Sequence, residues 1–566
     1  MSDSDRDGVV SWFSPKLLLG TAKELLIAKI LGGHLDWRRV NALHRLDDGS
    51  IKVRDASGLG SFDYVADVGE SVLATETVAR AMANDVVVNG QTFARTGALI
   101  LGGDAIYPHP TFEAYIERTV SPFEKAESGS DARRTILAIP GNHDWYDSLT
   151  AFSRVFFKRS EDANSSGSNS NPFKYFTREQ TRSYFAVDLG EKWWLFGLDL
   201  QLGADLDGDQ VEFFENVCRS HAIGPENKVI VCIPEPSWLG HWDQATTAGT
   251  FKSLAKTLCQ ILRLEHTPET CVDDVGRSVK LWMTGDHHHY ARFEKGSGSE
   301  QQRFVVCGGG GAHLHPTHTY RGTAEEHCKV SYPSREASRS LAGWNYLVKF
   351  LTTSFRSGFF LIPAFLYLLT TWIFGSTLKV VDLVGTSDLS FGNVLSATVE
   401  ASFKHPSDFI WLVLLYVLFV QFADLPSEPR WKRWGVPLVH LAAHLGVTFA
   451  SAFFVLEMLL IFGGNPAYDG AWNFFLVFGL QLLVGLVIGG VVGTSIVGLY
   501  LMAMMRFMGV HGPHAFSAVP NYSYRSWMRL RVEKGGVLHA AAFGIDELPK
   551  AGDRPTVKLI DEFVVG

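Results

Sequence analysis

After Gly358 the chain loses most of its charged side chains, and this forces its second half toward a solvent other than water. Residues 357–378 carry no charge between Arg356 and Lys379, enough for a helix across about 30 Å of hydrocarbon. Three more runs follow: 409–423 between Asp408 and Asp424, 434–456 continuing past Glu457 to Phe462, and 471–505. As one helix the last would be about 52 Å long, which leaves a helix projecting past the bilayer or a tight helical hairpin. Loop charges favour the first. Lys349 and Arg356 precede the first run, Arg430, Lys432 and Arg433 lie between the second and third, and Arg506, Arg525, Arg529 and Arg531 follow the fourth. By contrast 463–470 has no basic residue, and 379–408 has only Lys379 and Lys404. The positive-inside rule then gives four spans, at about 357–378, 406–425, 436–462 and 471–505, with both termini cytoplasmic. An integral membrane protein in contact with membrane lipids is expected, in the cell membrane if the source is bacterial.

The remainder reads as soluble. Charged residues are 19% of the 566, against roughly 25% in soluble domains, and the deficit sits almost wholly in those runs. A net charge of −8 offers no global attraction to nucleic acid, so no such partner is expected. Cys218, Cys232, Cys259, Cys271, Cys307 and Cys328 contain no C-x-x-C pair. They read as reduced, structural thiols rather than a disulfide framework or a zinc finger. The first residues, MSDSDRDGVVSWFSP, are acidic where a signal peptide needs basic ones, so the first half is expected to be made in the cytosol and to stay there.

Four segments follow from these patterns. Residues 1–60 hold a lead-in and an amphipathic helix at 16–31, with Lys16, Lys23 and Lys29 on its polar side. It would lie on anionic headgroups or pack on the next domain. Residues 61–345 alternate short β-rich runs with helical or polar stretches, as α/β and α+β domains do; the runs include 98–102, 135–139, 193–198, 229–233, 280–284 and 304–308. Within them, 158–172 is polar and low in complexity, a surface loop. Residues 346–508 form the all-α four-span bundle. In 509–566, YRSWMRLRV and GGVLHAAAFGI read as a strand pair packed on the first domain.

The chemistry lies in polar clusters placed just after predicted strands: Asp67-Val68-Gly69, Gly103-Asp104-Ala105-Ile106-Tyr107, Gly141-Asn142-His143-Asp144 and Gly285-Asp286-His287-His288-His289-Tyr290. Side chains at the carboxyl ends of adjacent strands converge in space although they are distant in sequence. Carboxylate, amide and imidazole together suit Mn, Fe or Zn. Two such ions can hold a phosphate and lower the pKa of a bound water toward about 7, which is the chemistry of metal-assisted phosphoester hydrolysis.

The series D-x-G, G-D-x-x-Y, G-N-H-D and G-x-x-H-x-Y-x-R, over about residues 62–318, resembles the calcineurin-like metallophosphoesterases, and within them the purple acid phosphatase pattern. The resemblance implies a sandwich of two β-sheets flanked by helices and a centre of two divalent or trivalent ions (Mn, Fe or Zn). It implies that Asp67, Tyr107 and His288 bind the first ion, that Asp104 bridges both, that Asn142 binds the second, and that His143 assists proton transfer or meets charge on the phosphoryl oxygens. For Tyr107 a ligating phenolate stands beside a tyrosine that only packs under its loop before Pro108.

Two positions depart from that pattern. Asp286 stands where the family has the first histidine of G-H-x-H, and VIVCIPEPSW carries Pro234 and Glu235 where the family has a histidine. Glu235 and Asp286 would then give the second ion oxygen ligands and favour Mn or Mg, unless Asp286 only orients His288; His241 is a third possible donor. His287 and His289 flank His288 and would contact substrate or solvent. CGGGGAHLHPTH (307–318) adds His313, His315 and His318, on a tight turn or on a substrate-contacting loop.

Within the apolar runs, His440 and His444 lie one turn apart with Glu457 beyond them, and Gly485, Gly489 and Gly493 form a small-xxx-small ladder. The expected function is a membrane-anchored, metal-dependent phosphoesterase that hydrolyses a phosphate mono- or diester, soluble or lipid-linked, with metal-activated water. The alternatives are a phosphoesterase-fold ligand sensor with a degenerate second metal site controlling its membrane domain, and a transporter or channel gated by the first domain.

Overall fold

In the computed structural model of the chain, the residues described are 10–20, 50–53, 58, 60–130, 132–158, 171–200, 205–242, 248–298, 301–377, 390, 392–393, 396, 399–400, 405–425, 428–461, 475, 479–480, 482–550 and 553–566. Most of the expected 16–31 helix, the 158–172 insert and the loops 379–404 and 463–470 lie wholly or largely outside them. The chain divides into two compact units, one of residues 1–11, 20–340 and 520–566, the other of residues 12–19 and 341–519.

The first unit is built on strands β1 (Ser50–Lys52), β2 (Ser61–Val65), β3 (Val86–Val88), β4 (Gln91–Phe93), β5 (Ala98–Gly102), β6 (Arg134–Ile139), β7 (Phe176–Arg178), β8 (Phe185–Gly190), β9 (Trp193–Gly197), β10 (Lys228–Cys232), β11 (Val279–Thr284), β12 (Tyr290–Lys295), β13 (Gln302–Cys307), β14 (Cys328–Tyr332), β15 (Arg525–Val532), β16 (Leu538–Ile545) and β17 (Lys558–Val565). Among the described residues these form one sheet in the order β1-β8-β9-β10-β11-β13-β12-β14 and another in the order β17-β16-β15-β2-β5-β6-β7, with β3-β4 a separate ribbon. Strands β2, β5 and β6 run parallel, as do β9, β10, β11 and β13. Such strands are buried on both faces, which is why ALILG and KLWMT are continuous apolar runs rather than alternating ones.

Three apolar clusters define the layers. Phe62, Ile100 and Leu137 from one sheet meet Leu195, Ile230 and Met283 from the other. Outside the sheets, Val78, Tyr115 and Phe152 cover one outer face, and Phe214, Leu258 and Cys259 cover the other. The unit is therefore a mixed α/β sandwich of two sheets with helices on both sides.

The C-terminal hairpin completes the second sheet: β15 pairs antiparallel with β2, with Arg529 opposite Asp63. Asp63 Oδ1 accepts from Arg529 Nε at 2.8 Å, and its Oδ2 accepts from Arg134 Nη2 at 2.7 Å, all three side chains being buried. A buried carboxylate needs such partners, and losing one guanidinium would strand the charge.

The second unit is helical. Trp344–Ser357 and Leu361–Ile373 meet at an 82° bend beside Gly358, whose φ of +79° is left-handed and suits glycine. Two described helices are long and apolar enough to cross a membrane, Pro406–Ala423 and Leu482–Met508, and the bent pair could make a third. The third expected run lies on the helix Arg430–Ile461, which contains Pro437. Four spans were expected; length and composition identify two clearly.

Gly485, Gly489 and Gly493 face the helix Leu361–Thr377 at close range: a Cβ on Gly489 would sit 2.7 Å from Tyr367 Cβ, and one on Gly493 2.9 Å from Tyr367 Cε2. Gly489→Leu should therefore destabilise the helical unit by about 1–3 kcal/mol through overpacking, whereas Gly446→Leu, with nothing within 4 Å of its Cβ position, should not. Thermal midpoints of the two variants in detergent compare them directly, and equal midpoints would contradict the close packing.

Candidate metal centre

Asp67, Asp104 and His288, from the ends of three strands, converge on the hydroxyl of Tyr107. Tyr107 Oη lies 2.8 Å from Asp67 Oδ1, 3.1 Å from Asp104 Oδ2 and 3.1 Å from His288 Nε2. Asp67 follows β2, Asp104 and Tyr107 follow β5, and His288 follows β11. His288 Nδ1 lies 2.7 Å from the carbonyl of His313. A carbonyl only accepts, so Nδ1 carries the hydrogen and Nε2 presents a lone pair.

The backbone is shaped to bring these groups together. Asp67, Asp104 and Asp286 all have positive φ, of 57°, 46° and 66°, a conformation costly for non-glycine residues that persists only where the surroundings enforce it. A Cβ on Gly141 would collide with the carboxylate and amide of Asp104, and one on Gly308 with Asp67 Oδ2 and the His287 carbonyl. Asp144 ties two strand-end loops together, its Oδ2 accepting from Gly141 N at 2.8 Å and Ala105 N at 3.2 Å, while Tyr115 Oη donates to Oδ1.

The electrostatics call for a cation. Burial, with Asp104 and Asp286 beside it, pushes the Asp67 carboxyl well above its usual range. Burial and Asp144 do the same to Asp104. Burial with Asp104 and Asp67 raises the Tyr107 phenol likewise. With their pKa values raised so far, the buried carboxyls of Asp67 and Asp104 keep their protons, and beside the phenol and the imidazole lone pair they ionise readily only around added positive charge. Oxygen and imidazole donors of this kind fit Mn, Fe or Zn.

The remaining expected residues lie around this cluster. His143 N donates to Asp104 Oδ1 at 2.8 Å, and its Nδ1–H points to the Pro108 carbonyl at 3.1 Å; burial lowers its pKa to about 4. Asn142 is exposed, with Nδ2 3.4 Å from Tyr146 Oη. The half-exposed Asp286 gives its backbone N–H to Asp67 Oδ2 at 2.9 Å, and its carboxylate lies 3.9 Å from His287 Nε2. Burial and the Asp286 charge push Glu235, on the loop after β10, up to about 7. His241 sits on the helix Ser237–Trp242, 5.7 Å from the ring of Phe251.

The flanking histidines separate. His287 Nδ1 is 3.3 Å from Tyr320 Oη and the ring is partly exposed. His289 is 1% exposed, with Nδ1 3.1 Å from the His315 carbonyl and Nε2 2.7 Å from Tyr320 Oη, so it faces the interior. His313 Nδ1 is 2.9 Å from Glu70 Oε2.

Three side chains outside the motifs' site positions also shape the region. Glu70 Oε2 accepts from His313 N at 3.0 Å and its Oε1 from Tyr522 Oη at 2.9 Å, and His315 stacks on His288 at 3.8 Å. Glu70 had a sequence signal in directly following D-x-G, and His315 in the histidines of CGGGGAHLHPTH. Tyr522 is far downstream, and nothing in its neighbours marks it.

In the helical unit, Tyr367 Oη is 2.9 Å from His444 Nδ1, and His444 Nε2 is 3.2 Å from His440 Nε2. They border an apolar cavity of about 270 Å³. The side chain of Glu457 lies outside the described residues.

No family model and no curated protein sequence matches the chain. The structure of a purple acid phosphatase from yellow lupin (Lupinus luteus) seeds is similar over 47% of this chain, at 14% identity and a TM-score of 0.27. The match spans 46% of that phosphatase, about half its length. At that identity and score the likeness assigns neither fold nor activity to this chain.

Proposed function

We propose that this chain is a membrane-anchored, metal-dependent phosphoesterase whose hydrolytic domain faces the cytosol. The observation that carries the reading is the buried convergence of Asp67, Asp104 and His288 on the Tyr107 hydroxyl. Asp67, Tyr107 and His288 would hold one ion, Asp104 and Asn142 would serve a second, and Glu235 and Asp286 lie at its margin. When bound, the two ions would hold the phosphate and supply hydroxide from water at neutral pH.

The protein's own groups do the rest. His313 fixes His288 through its carbonyl, so that Nε2 faces the carboxylates. Pro108 fixes the tautomer of His143, and burial keeps that ring neutral at pH 7. A phosphoryl anion beside it would raise its proton affinity, so His143 gains a proton where negative charge accumulates. The partly exposed His287 is placed to meet substrate.

Purified protein in detergent should hydrolyse p-nitrophenyl phosphate or bis(p-nitrophenyl) phosphate, lose that activity on chelation, and regain it with Mn, Zn or Fe. Hydrolysis that survives chelation, or none with any of these ions, would overturn the reading. The membrane tether favours a lipid-linked substrate, and vesicles carrying a phospholipid monoester would test it. For topology, a reporter fused after Gly566 should be cytosolic and one inserted at Asn465 external; an external C-terminus would mean that 471–505 spans twice.

A further inference from the structure

We propose that the helix Trp344–Ser357 lies in the plane of the membrane surface, with an apolar stripe at the headgroup–acyl boundary and a cationic stripe on anionic lipid headgroups. The inference rests on the membrane-anchored part of the proposed function and not on the metal centre. Three stripes run along this helix. Tyr346, Phe350 and Ser354 are buried; Trp344, Val348 and Phe355 are 74%, 63% and 43% exposed; and Asn345, Lys349 and Arg356 are exposed beside them. Spacings of three and four residues place each set on one face. Thr352, between Val348 and Phe355, turns its hydroxyl to the carbonyls of Val348 and Lys349 at 3.1 and 2.9 Å, so it adds no free polar group to the apolar line.

The buried stripe fixes the helix to the rest of the helical unit. Tyr346 Oη donates to the Ala515 carbonyl at 3.0 Å, and a Cβ on Gly498 would lie 2.6 Å from Phe350 Cδ1 and 2.9 Å from Leu347 Cδ1. Phe13 closes the bend that follows, its ring 6.3 Å from that of Phe350 and 4.9 Å from that of Phe359. The apolar and cationic stripes therefore point in fixed directions, and the described residues leave both uncovered.

Three observations point to lipid as what covers them. The 82° bend turns the chain from this helix into Leu361–Ile373, the geometry of one helix lying along a surface and the next entering it. The helix Leu361–Thr377 has 17 residues, about 26 Å, which is by itself within the length range of a span, so the residues before the bend are not needed to cross. Lys349 and Arg356 have no ion-pair partner among the described residues, and no Asp or Glu occurs between Glu336 and Asp382. That unopposed charge suits a negative surface, and Trp and Phe beside Lys and Arg are the side chains that hold helices at the headgroup–acyl boundary.

The test uses the full-length protein in nanodiscs of phosphatidylcholine alone or of an equimolar mixture with phosphatidylserine. Nitroxides introduced through Val348→Cys, Asn345→Cys and Val413→Cys report immersion as the ratio of oxygen to nickel-chelate accessibility, with unsubstituted protein setting the background of the native cysteines. Phe355→Cys, on the same stripe, repeats the Val348 measurement independently. Val413 is the control, 44% exposed on the apolar helix Pro406–Ala423. The ratio at 348 should exceed that at 345 and be higher with phosphatidylserine present. Lys349→Glu with Arg356→Glu should reverse that lipid order, since a basic side chain at an anionic surface strengthens attachment about fivefold and an acidic one weakens it. A ratio at 348 no higher than at 345, or an unchanged lipid order after charge reversal, would overturn the proposal. A 348 label shielded from both reagents would mean that protein covers the stripe, and the lipid assignment falls. If Val413 is immersed in any of these cases, only this inference falls; if Val413 is also in water, the membrane-anchored reading falls with it.

Discussion

Asp104→Ala should lower metal-dependent phosphoester hydrolysis by more than roughly 100-fold, since even the partners of metal ligands commonly matter 10–100-fold. Asp104 lies in direct hydrogen-bond range of both Tyr107 Oη, through Oδ2, and His143 N, through Oδ1. Its removal therefore touches both halves of the proposed centre. The fold should survive. The His143 amide loses its acceptor, at about 1–3 kcal/mol, but a buried carboxylate that repels Asp67 and Asp144 is also gone. Kinetics on p-nitrophenyl esters, with circular dichroism and melting on the same sample, separate loss of chemistry from loss of structure. A folded Asp104→Ala protein with near-normal turnover would sink the assignment.

The second large effect concerns stability without metal. The pKa values of Asp67 and Asp104 lie well above their ordinary value in the folded protein, and those of Asp144 and Glu235 rise to about 7. The unfolded chain releases these protons near pH 4 and the folded one later, so each carboxyl loses stability as pH rises toward its folded pKa. The buried histidines oppose this. His143 is lowered to about 4 and His289 to about 3, and His288 and His315 are lowered too. They ionise in the unfolded chain below about 6.5, so they add stability as pH rises from about 4 to 6.5.

The two sets offset each other up to about pH 6.5. Above it the histidines are neutral in both states and only the carboxyls still titrate. The chelated protein should then lose about 1.4 kcal/mol per pH unit for each carboxyl still protonated. Added metal replaces those protons, so its stabilisation, about 4 kcal/mol at 1,000 times Kd, should grow with pH. Melting of chelated and metal-loaded protein from pH 6.5 to 8.5 measures both slopes, and Glu235→Gln, which removes a carboxyl raised to about 7, should flatten the first. A chelated protein equally stable across that range would contradict the buried, unneutralised centre.

Much of the scaffold was legible because strand burial leaves a direct mark. ALILG at 98–102 and the apolar cores of β6, β9, β10, β11 and β13 stand in the sequence as continuous runs. Strand-end placement of Asp67, Asp104 and His288 was legible for the same reason, since each polar cluster begins where such a run stops. The apolar helical half was legible as composition, but the 82° bend at Gly358 depends on a backbone conformation that hydropathy does not encode.

What the sequence by itself determined is the inventory: apolar runs that must be buried or lie in lipid, and carboxylate, amide and imidazole side chains placed after strands. Local patterns suffice for this because burial and chain direction act on neighbouring residues. Only the tertiary structure decided which of those side chains meet. It set Asn142 at the surface and turned His289 inward. It also brought Glu70, Tyr522 and Arg525 from opposite ends of the chain to hold the His313–His315 loop. The cause is the pairing of β15 with β2, in which Arg529 meets the buried Asp63; a contact across that sequence separation leaves no periodic trace in either segment.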